Sequence, residues 1–155
     1  MGTNRRLRFR QNLSPLYQPF YDALCKELDA YWQPFSGWRD AAHQERLYAQ
    51  GRSEPGSIIT NARAWDSPHQ YGCASDWTIW TQDGQPIWIK ADDPMWREYE
   101  AACEKVGLEW GGHFPRIDAV HNELSTSIRW SVVGNIYRDE GYQAAINCIQ
   151  EHIKK

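Results

Sequence analysis

One stretch of sequence decides the fold, namely Asp76-Trp77-Thr78-Ile79-Trp80-Thr81-Gln82-Asp83-Gly84-Gln85-Pro86-Ile87-Trp88-Ile89. In its first half, Trp77 and Ile79 alternate with more polar neighbours, which is the pattern of a β-strand. The pair Asp83-Gly84 then separates this run from a second apolar run over 87–89. An Asp-Gly pair between two such runs is typical of a tight turn that joins antiparallel strands. The sequence therefore predicts a β-hairpin near the middle of the chain.

Helical patterns lie on both sides of this hairpin, and further short strands follow it. Apolar residues at helical spacing predict helices from Ser14 to about Tyr31, from Ala41 to Gln50, from Asp93-Pro94 to Gly107, and through 142–153. Short strands are predicted at Leu108–Trp110 and Val120–Leu124. The segment from Arg52 to Gln70 has no sustained period, and loops of that length are often functional. These elements indicate an α+β fold, with a small antiparallel sheet flanked by helices.

Length and composition limit the classes of protein to consider. The chain has 155 residues, which suits one domain. Residues 1–13 hold several arginines and little to bury, so we expect a flexible basic arm ahead of a single domain at 14–155. A formal net charge of -3 argues against general nucleic-acid binding. No run approaches the roughly 20 apolar residues needed to span a bilayer, which argues against membrane insertion. The four cysteines are widely spaced and are predicted to be free thiols.

Two histidines stand close in sequence to aspartates, His69 to Asp76 and His121 to Asp118. A catalytic zinc site needs three protein ligands and one open position, and two histidines with one carboxylate is a common solution. His69, Asp76 and His121 supply that set, and Gly72 lets the chain turn so that the first two reach one metal. We therefore expect a zinc site on a face of the sheet.

The remaining polar residues leave alternatives open. Asp118 could be a general base that takes a proton from water, or a fourth ligand. The alternative without a metal site is purely structural: His69 bonds within a turn, Asp76 caps a strand, and Asp118 and His121 form a surface pair. His113 follows two glycines and is either a substrate contact or a loop residue.

The segment from Phe35 to about Leu124 contains a series of short motifs. They are Gly37-Trp38-Arg39, Gln44 with Leu47-Tyr48-Ala49-Gln50-Gly51-Arg52, Pro55-Gly56-Ser57-Ile58-Ile59-Thr60-Asn61-Ala62, Ser67-Pro68-His69-Gln70-Tyr71-Gly72-Cys73-Ala74-Ser75-Asp76, Trp110-Gly111-Gly112 and Asp118-Ala119-Val120-His121. These motifs resemble those of the VanY-like zinc peptidases, family M15, which cleave peptidoglycan stem peptides. The resemblance is greatest to the L-alanyl-D-glutamate endopeptidase branch, found in phage endolysins and bacterial wall hydrolases.

This resemblance implies a role for each matching residue. His69, Asp76 and His121 would be the ligands of Zn²⁺, Asp118 the general base, and Arg39 the cation that steadies the oxyanion.

The resemblance also raises the question of substrate contacts. Ser67 would contact substrate or hold the loop that carries His69. His113 stands where the related endopeptidases commonly have an acidic residue, and Cys73 and Ser75 replace positions that are usually aliphatic, which leaves the cleaved bond open.

The expected function is zinc-dependent hydrolysis of a peptidoglycan stem-peptide bond, L-Ala–D-Glu first. The alternatives are a D-Ala–D-Ala carboxypeptidase or dipeptidase, and a non-catalytic wall-peptide binding or virion protein on the same scaffold. We expect a monomer that is made in the cytoplasm without a signal peptide. It would act on the cell wall as a phage-type endolysin released by a holin, as a virion-borne hydrolase, or as a bacterial wall hydrolase.

Overall fold

The predicted hairpin is present, but its second strand has two residues and covers 86–87 rather than the expected 87–89. The computed structural model describes residues 2–154, in which strand β2 (Ala74–Trp80) turns back into the short strand β3 (Pro86–Ile87). Strand β1 (Trp32–Ser36) pairs with β2 on one side, and β5 (His121–Leu124) pairs with it on the other. Strand β4 (Leu108–Trp110) pairs with β5, so the order is β1-β2-β5-β4 with β3 beside β2. All of these pairings are antiparallel, which confirms the predicted α+β class.

Six helices of the described chain accompany the sheet. They are α1 (Gly2–Arg10), α2 (Gln18–Glu27), α3 (Ala41–Ala49), α4 (Trp96–Val106), α5 (Trp130–Glu140) and α6 (Tyr142–Glu151). Short 3-10 turns lie at Pro68–Tyr71 and Gly111–His113. Within 2–154, none of these helices has the length and apolar character needed to cross a bilayer.

The helix boundaries follow local signals in the sequence. Pro19 lies in the first turn of α2, where a missing backbone N–H costs nothing. Asp40 caps α3 by accepting a hydrogen bond from the backbone N–H of His43 at 2.7 Å. Gly107 ends α4 in the left-handed conformation.

The core behind the sheet is largely aromatic. Trp32 of β1 stacks on Tyr99 of α4 with ring centroids 5.4 Å apart, and Trp77 of β2 packs against Tyr21 of α2 at 5.7 Å. All four rings are buried, and each contributes roughly 1.5–3 kcal/mol by leaving water. Because side chains alternate along β2, Trp77 faces this core while Asp76 faces the other side of the strand. The aromatic core thus gives a rigid backing to the strand that carries Asp76.

Helix α5 is an element that the sequence analysis did not predict. Its sequence includes β-branched residues and Gly134, which lower intrinsic helix propensity. A Cβ at Gly134 would lie 2.0 Å from Oδ1 of Asp66 and 2.7 Å from the carbonyl oxygen of Trp65. The glycine therefore serves close packing of α5 against the loop before Ser67, and packing outweighs propensity there.

The N-terminal segment also differs from its prediction. A flexible basic arm was expected over 1–13, but Gly2–Arg10 is helical and contacts β1 and α2. Arg6 donates to the carbonyl oxygens of Cys25 at 2.7 Å and of Asp29 and Trp32 at 2.9 Å. The sequence pattern does not predict this, because α1 has few apolar residues to bury and is held instead by a guanidinium that binds carbonyls in the last turn of α2 and beyond it. The domain boundary at residue 14 stays a prediction.

Replacing Arg6 with Met should lower the free energy of unfolding by about 2 kcal/mol, because the carbonyls that it caps lose a charged donor. Urea denaturation monitored by tryptophan fluorescence measures this change. Arg8 is exposed on the same helix, so Arg8→Met should stay within about 0.5 kcal/mol of the parent. Equal losses in the two variants would contradict this role of Arg6.

Candidate metal centre

Two strands and one turn bring His69, Asp76 and His121 together. Asp76 of β2 and His121 of β5 are directly opposed in the sheet register, so their side chains share a face. His69 lies in the 3-10 turn at 68–71, and the chain returns to β2 through Gly72. Gly72 has φ +68, and a Cβ there would lie 2.6 Å from the backbone nitrogen of Ser14. The expected role of this glycine in turning the chain is thus confirmed.

The three side chains form one buried cluster. Asp76 Oδ1 lies 3.0 Å from Nδ1 of His121, and Asp76 Oδ2 lies 3.4 Å from Nε2 of His69. One potential ligand atom from each residue falls within 4.8 Å of the others. The residues are only 3–6% exposed. The geometry therefore brings together the three residues predicted as ligands.

The orientation of His69 is fixed by the backbone. Its Nδ1 lies 2.6 Å from the carbonyl oxygen of Gly37, which can only accept a hydrogen bond. Nδ1 therefore carries a proton, and Nε2 is the nitrogen that faces Asp76. Ser67 supports the turn, since its hydroxyl accepts a hydrogen bond from the backbone N–H of His69. This contact favours the loop-holding role of Ser67 over a substrate contact.

Glu123 is a member of the cluster that the sequence analysis missed. Its carboxylate lies 2.7 Å from Nε2 of His121 and accepts a 3.0 Å hydrogen bond from the indole N–H of Trp130. The signal was available in the sequence, because residues two apart on a strand share a face. A carboxylate on the far nitrogen of a histidine fixes which nitrogen faces the metal in many metalloproteins.

Charges within the cluster shift its pKa values in opposite directions. Burial alone would lower the pKa of His121, but the hydrogen bonds to Asp76 and Glu123 outweigh it and raise the pKa to about 10. Burial would raise the pKa of Asp76, yet His69 and His121 hold it well below its usual range. The carboxylate of Asp76 is therefore strongly stabilised in its charged form.

Arg39 lies beside the three clustered side chains. Its Nη2 is 3.4 Å from Oδ2 of Asp76 and 3.3 Å from the hydroxyl of Ser36, and its Nη1 donates to Oε1 of Gln44 at 3.0 Å. The backbone N–H of Arg39 donates to the carbonyl oxygen of His69 at 3.1 Å. The residue is thus tied to the cluster by both backbone and side chain.

Asp118 enters the site from the loop before β5. Its backbone N–H donates to the carbonyl oxygen of Gly111 at 2.9 Å, and its carbonyl accepts from the N–H of His121 at 3.1 Å. A Cβ at Gly111 would lie 2.2 Å from the carbonyl oxygen of Asp118, so the loop closes this way only with glycine there. Asp118 is exposed on one side. Desolvation by the neighbouring protein atoms and the charge of Asp76 nevertheless raise the pKa of its carboxyl group. His121, His69 and Arg39 act in the opposite sense.

His113 is not brought into the cluster. Its side chain is 61% exposed and bonds through Nε2 to Glu100 of α4 at 2.8 Å, while its ring packs edge-on against Trp110. A substrate contact by His113 stays a prediction.

Comparisons with known proteins bear on the fold and the site together. Residues 60–124 match a peptidase M15 family model described as D-alanyl-D-alanine carboxypeptidase. This range contains His69, Asp76, Asp118 and His121, whereas Arg39 lies outside it. The chain is also 37% identical over 95 residues to the peptidoglycan L-alanyl-D-glutamate endopeptidase CwlK of Bacillus subtilis (strain 168). That match covers 57% of this chain, and the chain spans only 57% of the length of CwlK.

A solved structure shares the fold. The L-Ala D-Glu endopeptidase ChiX of Serratia marcescens superposes with a TM-score of 0.53, at 19% identity, over 90% of this chain and 92% of ChiX. At that identity the match bears on architecture alone. The family model and the curated relative carry the sequence evidence, and together they confirm the resemblance of this chain to the M15 peptidases and to their L-alanyl-D-glutamate endopeptidases.

Proposed function

We propose that this protein is a zinc-dependent peptidase that hydrolyses the L-Ala–D-Glu bond of the peptidoglycan stem peptide. One observation carries the proposal, which is the convergence of two buried imidazoles on the buried carboxylate of Asp76. Arg39 adjoins this cluster, and the charges of the cluster act on the carboxyl group of Asp118. A single chain supplies all of these residues, so the proposed enzyme acts as a monomer, in the manner of an endolysin or wall hydrolase.

The residues fit a zinc ion by their chemistry. Two imidazole nitrogens and one carboxylate oxygen are a standard catalytic donor set. His69 and His121 each have an acceptor on the nitrogen that would face away from the metal, namely the carbonyl of Gly37 and the carboxylate of Glu123. When bound by these three residues, Zn²⁺ would supply a Lewis acid that polarises the scissile carbonyl and acidifies the attacking water.

The remaining residues supply proton transfer and charge stabilisation. In the proposed mechanism a carboxylate oxygen of Asp118 accepts the proton of the water that attacks the carbonyl carbon. It then passes this proton to the nitrogen of the leaving amine as the C–N bond breaks. The guanidinium of Arg39 stabilises the negative charge that forms on the carbonyl oxygen. Ser67 holds the turn of His69, and His113 is a candidate substrate contact at the rim.

The choice of bond rests on the relatives. CwlK is named an L-alanyl-D-glutamate endopeptidase, which favours that bond. A D-Ala–D-Ala carboxypeptidase is the second candidate, because the matching family model carries that description.

Replacing Asp118 with Ala should reduce hydrolysis by about 10²–10⁴-fold and leave zinc content unchanged, because the residue moves protons and is not one of the three proposed ligands. His69→Ala should lose the metal as well as the activity. Muropeptide turnover and metal analysis of the purified variants measure both effects. Undiminished turnover in Asp118→Ala would remove that residue from the mechanism.

Replacing Glu123 with Gln should weaken zinc binding by about 10–100-fold, because the amide no longer accepts the proton of His121 with a full charge. Competition with a chromophoric chelator measures the dissociation constant directly. Glu109 is the matched control, since it lies opposite Glu123 in the sheet register but its carboxylate bonds to Ser125. If Glu109→Gln weakens zinc binding equally, a general loss of negative charge explains the effect and the proposed role of Glu123 is wrong.

Digestion of purified disaccharide–peptide fragments should yield a new N-terminal D-Glu and no free D-Ala, as read by mass spectrometry. A chelator should abolish the reaction, and added zinc should restore it, because the proposed ligands hold the metal reversibly. Release of D-Ala would instead support the carboxypeptidase. A chain that binds no zinc and cleaves neither bond would be the non-catalytic binding protein.

A further inference from the structure

Behind Arg39 lies a buried pair of amides for which the mechanism has no role. Gln44 of α3 is fully buried and Gln70 is 2% exposed. Oε1 of Gln44 accepts hydrogen bonds from Nη1 of Arg39 at 3.0 Å and from Nε2 of Gln70 at 3.2 Å. Nε2 of Gln44 donates to the carbonyl oxygen of Ala62 at 2.7 Å. Two side chains and one backbone carbonyl thus meet at one glutamine.

The orientation of each amide follows from its partners. A guanidinium can only donate and a carbonyl can only accept, so Gln44 must point its oxygen at Arg39 and its nitrogen at Ala62. Gln70 is fixed in the same way, because its oxygen accepts from the N–H of Trp65 at 3.1 Å and its nitrogen donates to the carbonyl of Arg39 at 3.3 Å. Each bond is made by the only atom that can make it, so the network has one arrangement.

Few other contacts hold the guanidinium of Arg39. Its bonds to Ser36 and Asp76 are long, at 3.3 and 3.4 Å, and Asp76 is itself a candidate metal ligand. Its Nε is buried and has no hydrogen-bond partner among residues 2–154. The bond to Gln44 is therefore the shortest side-chain bond of Arg39, and unlike the bond to Asp76 it does not involve a candidate metal ligand.

We propose that Gln44 is a positioning residue, which holds the guanidinium of Arg39 at the reacting carbonyl and links it to the loop at 52–66 through Ala62. The inference rests on the proposed peptidase function and extends it. A polar group that develops its strongest interaction in the transition state must be held in place beforehand, since reorientation during the reaction costs rate. A neutral amide does this without cancelling the positive charge of Arg39, as a carboxylate at position 44 would.

The test compares Gln44→Leu with Gln50→Leu. Gln50 also ties α3 to the 52–66 loop, through a 3.0 Å bond to the carbonyl of Ser57, but it does not contact Arg39. Gln44→Leu should lower kcat by about 10–100-fold with KM and zinc content within about twofold of the parent. Gln50→Leu should change kcat by less than about threefold. Equal effects in the two variants would assign the loss to the loop and overturn the proposal.

A double variant separates positioning from general damage. If Gln44 acts through Arg39, Arg39→Ala combined with Gln44→Leu should be no slower than Arg39→Ala alone. Multiplied losses would overturn the proposal. Should Gln44→Leu fail to fold, Gln44→Asn withdraws the acceptor by one methylene while keeping an amide, and the same loss of kcat is expected from it.

A readout independent of activity keeps this inference distinct from the proposed function. In ¹⁵N NMR of the parent protein, the guanidinium protons of Arg39 should be protected from exchange with solvent, and Gln44→Leu should lose that protection while Gln50→Leu keeps it. Absence of muropeptide cleavage by the parent would sink the peptidase function. Unchanged protection in Gln44→Leu would sink the positioning role.

Discussion

The carboxylate of Asp76 is the charge around which the site is built. A carboxylate that is 6% exposed is costly to bury unless donors or cations surround it. His121 contacts one of its oxygens, and His69 and Arg39 contact the other. Removing any one of these partners leaves an incompletely compensated anion, so the positions of all of them are constrained together. The same requirement that stabilises the carboxylate gathers the groups that a metallopeptidase needs.

Rigid elements place each of these partners. Asp76 and His121 are fixed by the register of β2 and β5. A shift of this register by one residue would turn the buried side chain of Trp77 away from the core. His69 depends on a single turn, closed by Ser67 at its start and Gly72 at its end. Asp118, the proposed proton carrier, lies instead on the loop before β5.

The central hairpin and the candidate residues of the site could be predicted because their signals are local. The Asp-Gly turn between 77–80 and 87–89 requires only neighbouring residues, and the clustered residues His69, Asp76 and His121 belong to two short His/Asp pairs, the second completed by Asp118. The cap of α3 at Asp40 is equally local. By contrast, α1 depends on Arg6 reaching carbonyls 19 or more positions away, and α5 depends on close packing at Gly134. Such contacts leave no periodic trace in the sequence.

Within the site, the limit of sequence reasoning has a different cause. Motif resemblance gives the residue types and their order, but it does not say which nitrogen or oxygen of each faces inward. His113 shows the consequence, because its position after Gly111-Gly112 left a substrate contact and a loop role both open, and only the structure shows that its ring bonds to Glu100. Glu123 shows the converse, since its place two residues after His121 acquires meaning only when its carboxylate is seen on the imidazole.

Charge balance explains why amides lie behind this site on one side and a carboxylate on the other. In the proposed metal-bound state, where both imidazoles are neutral, the carboxylates of Asp76, Asp118 and Glu123 and the guanidinium of Arg39 leave two negative charges, which one divalent cation would neutralise. A further carboxylate behind Arg39 would exceed that balance and would pair with the guanidinium, weakening its attraction for a developing oxyanion. Behind His121 the opposite holds, because a carboxylate there makes the imidazole a better donor to a metal. The difference between Gln44 and Glu123 thus follows from the charge of the side chain that each one holds.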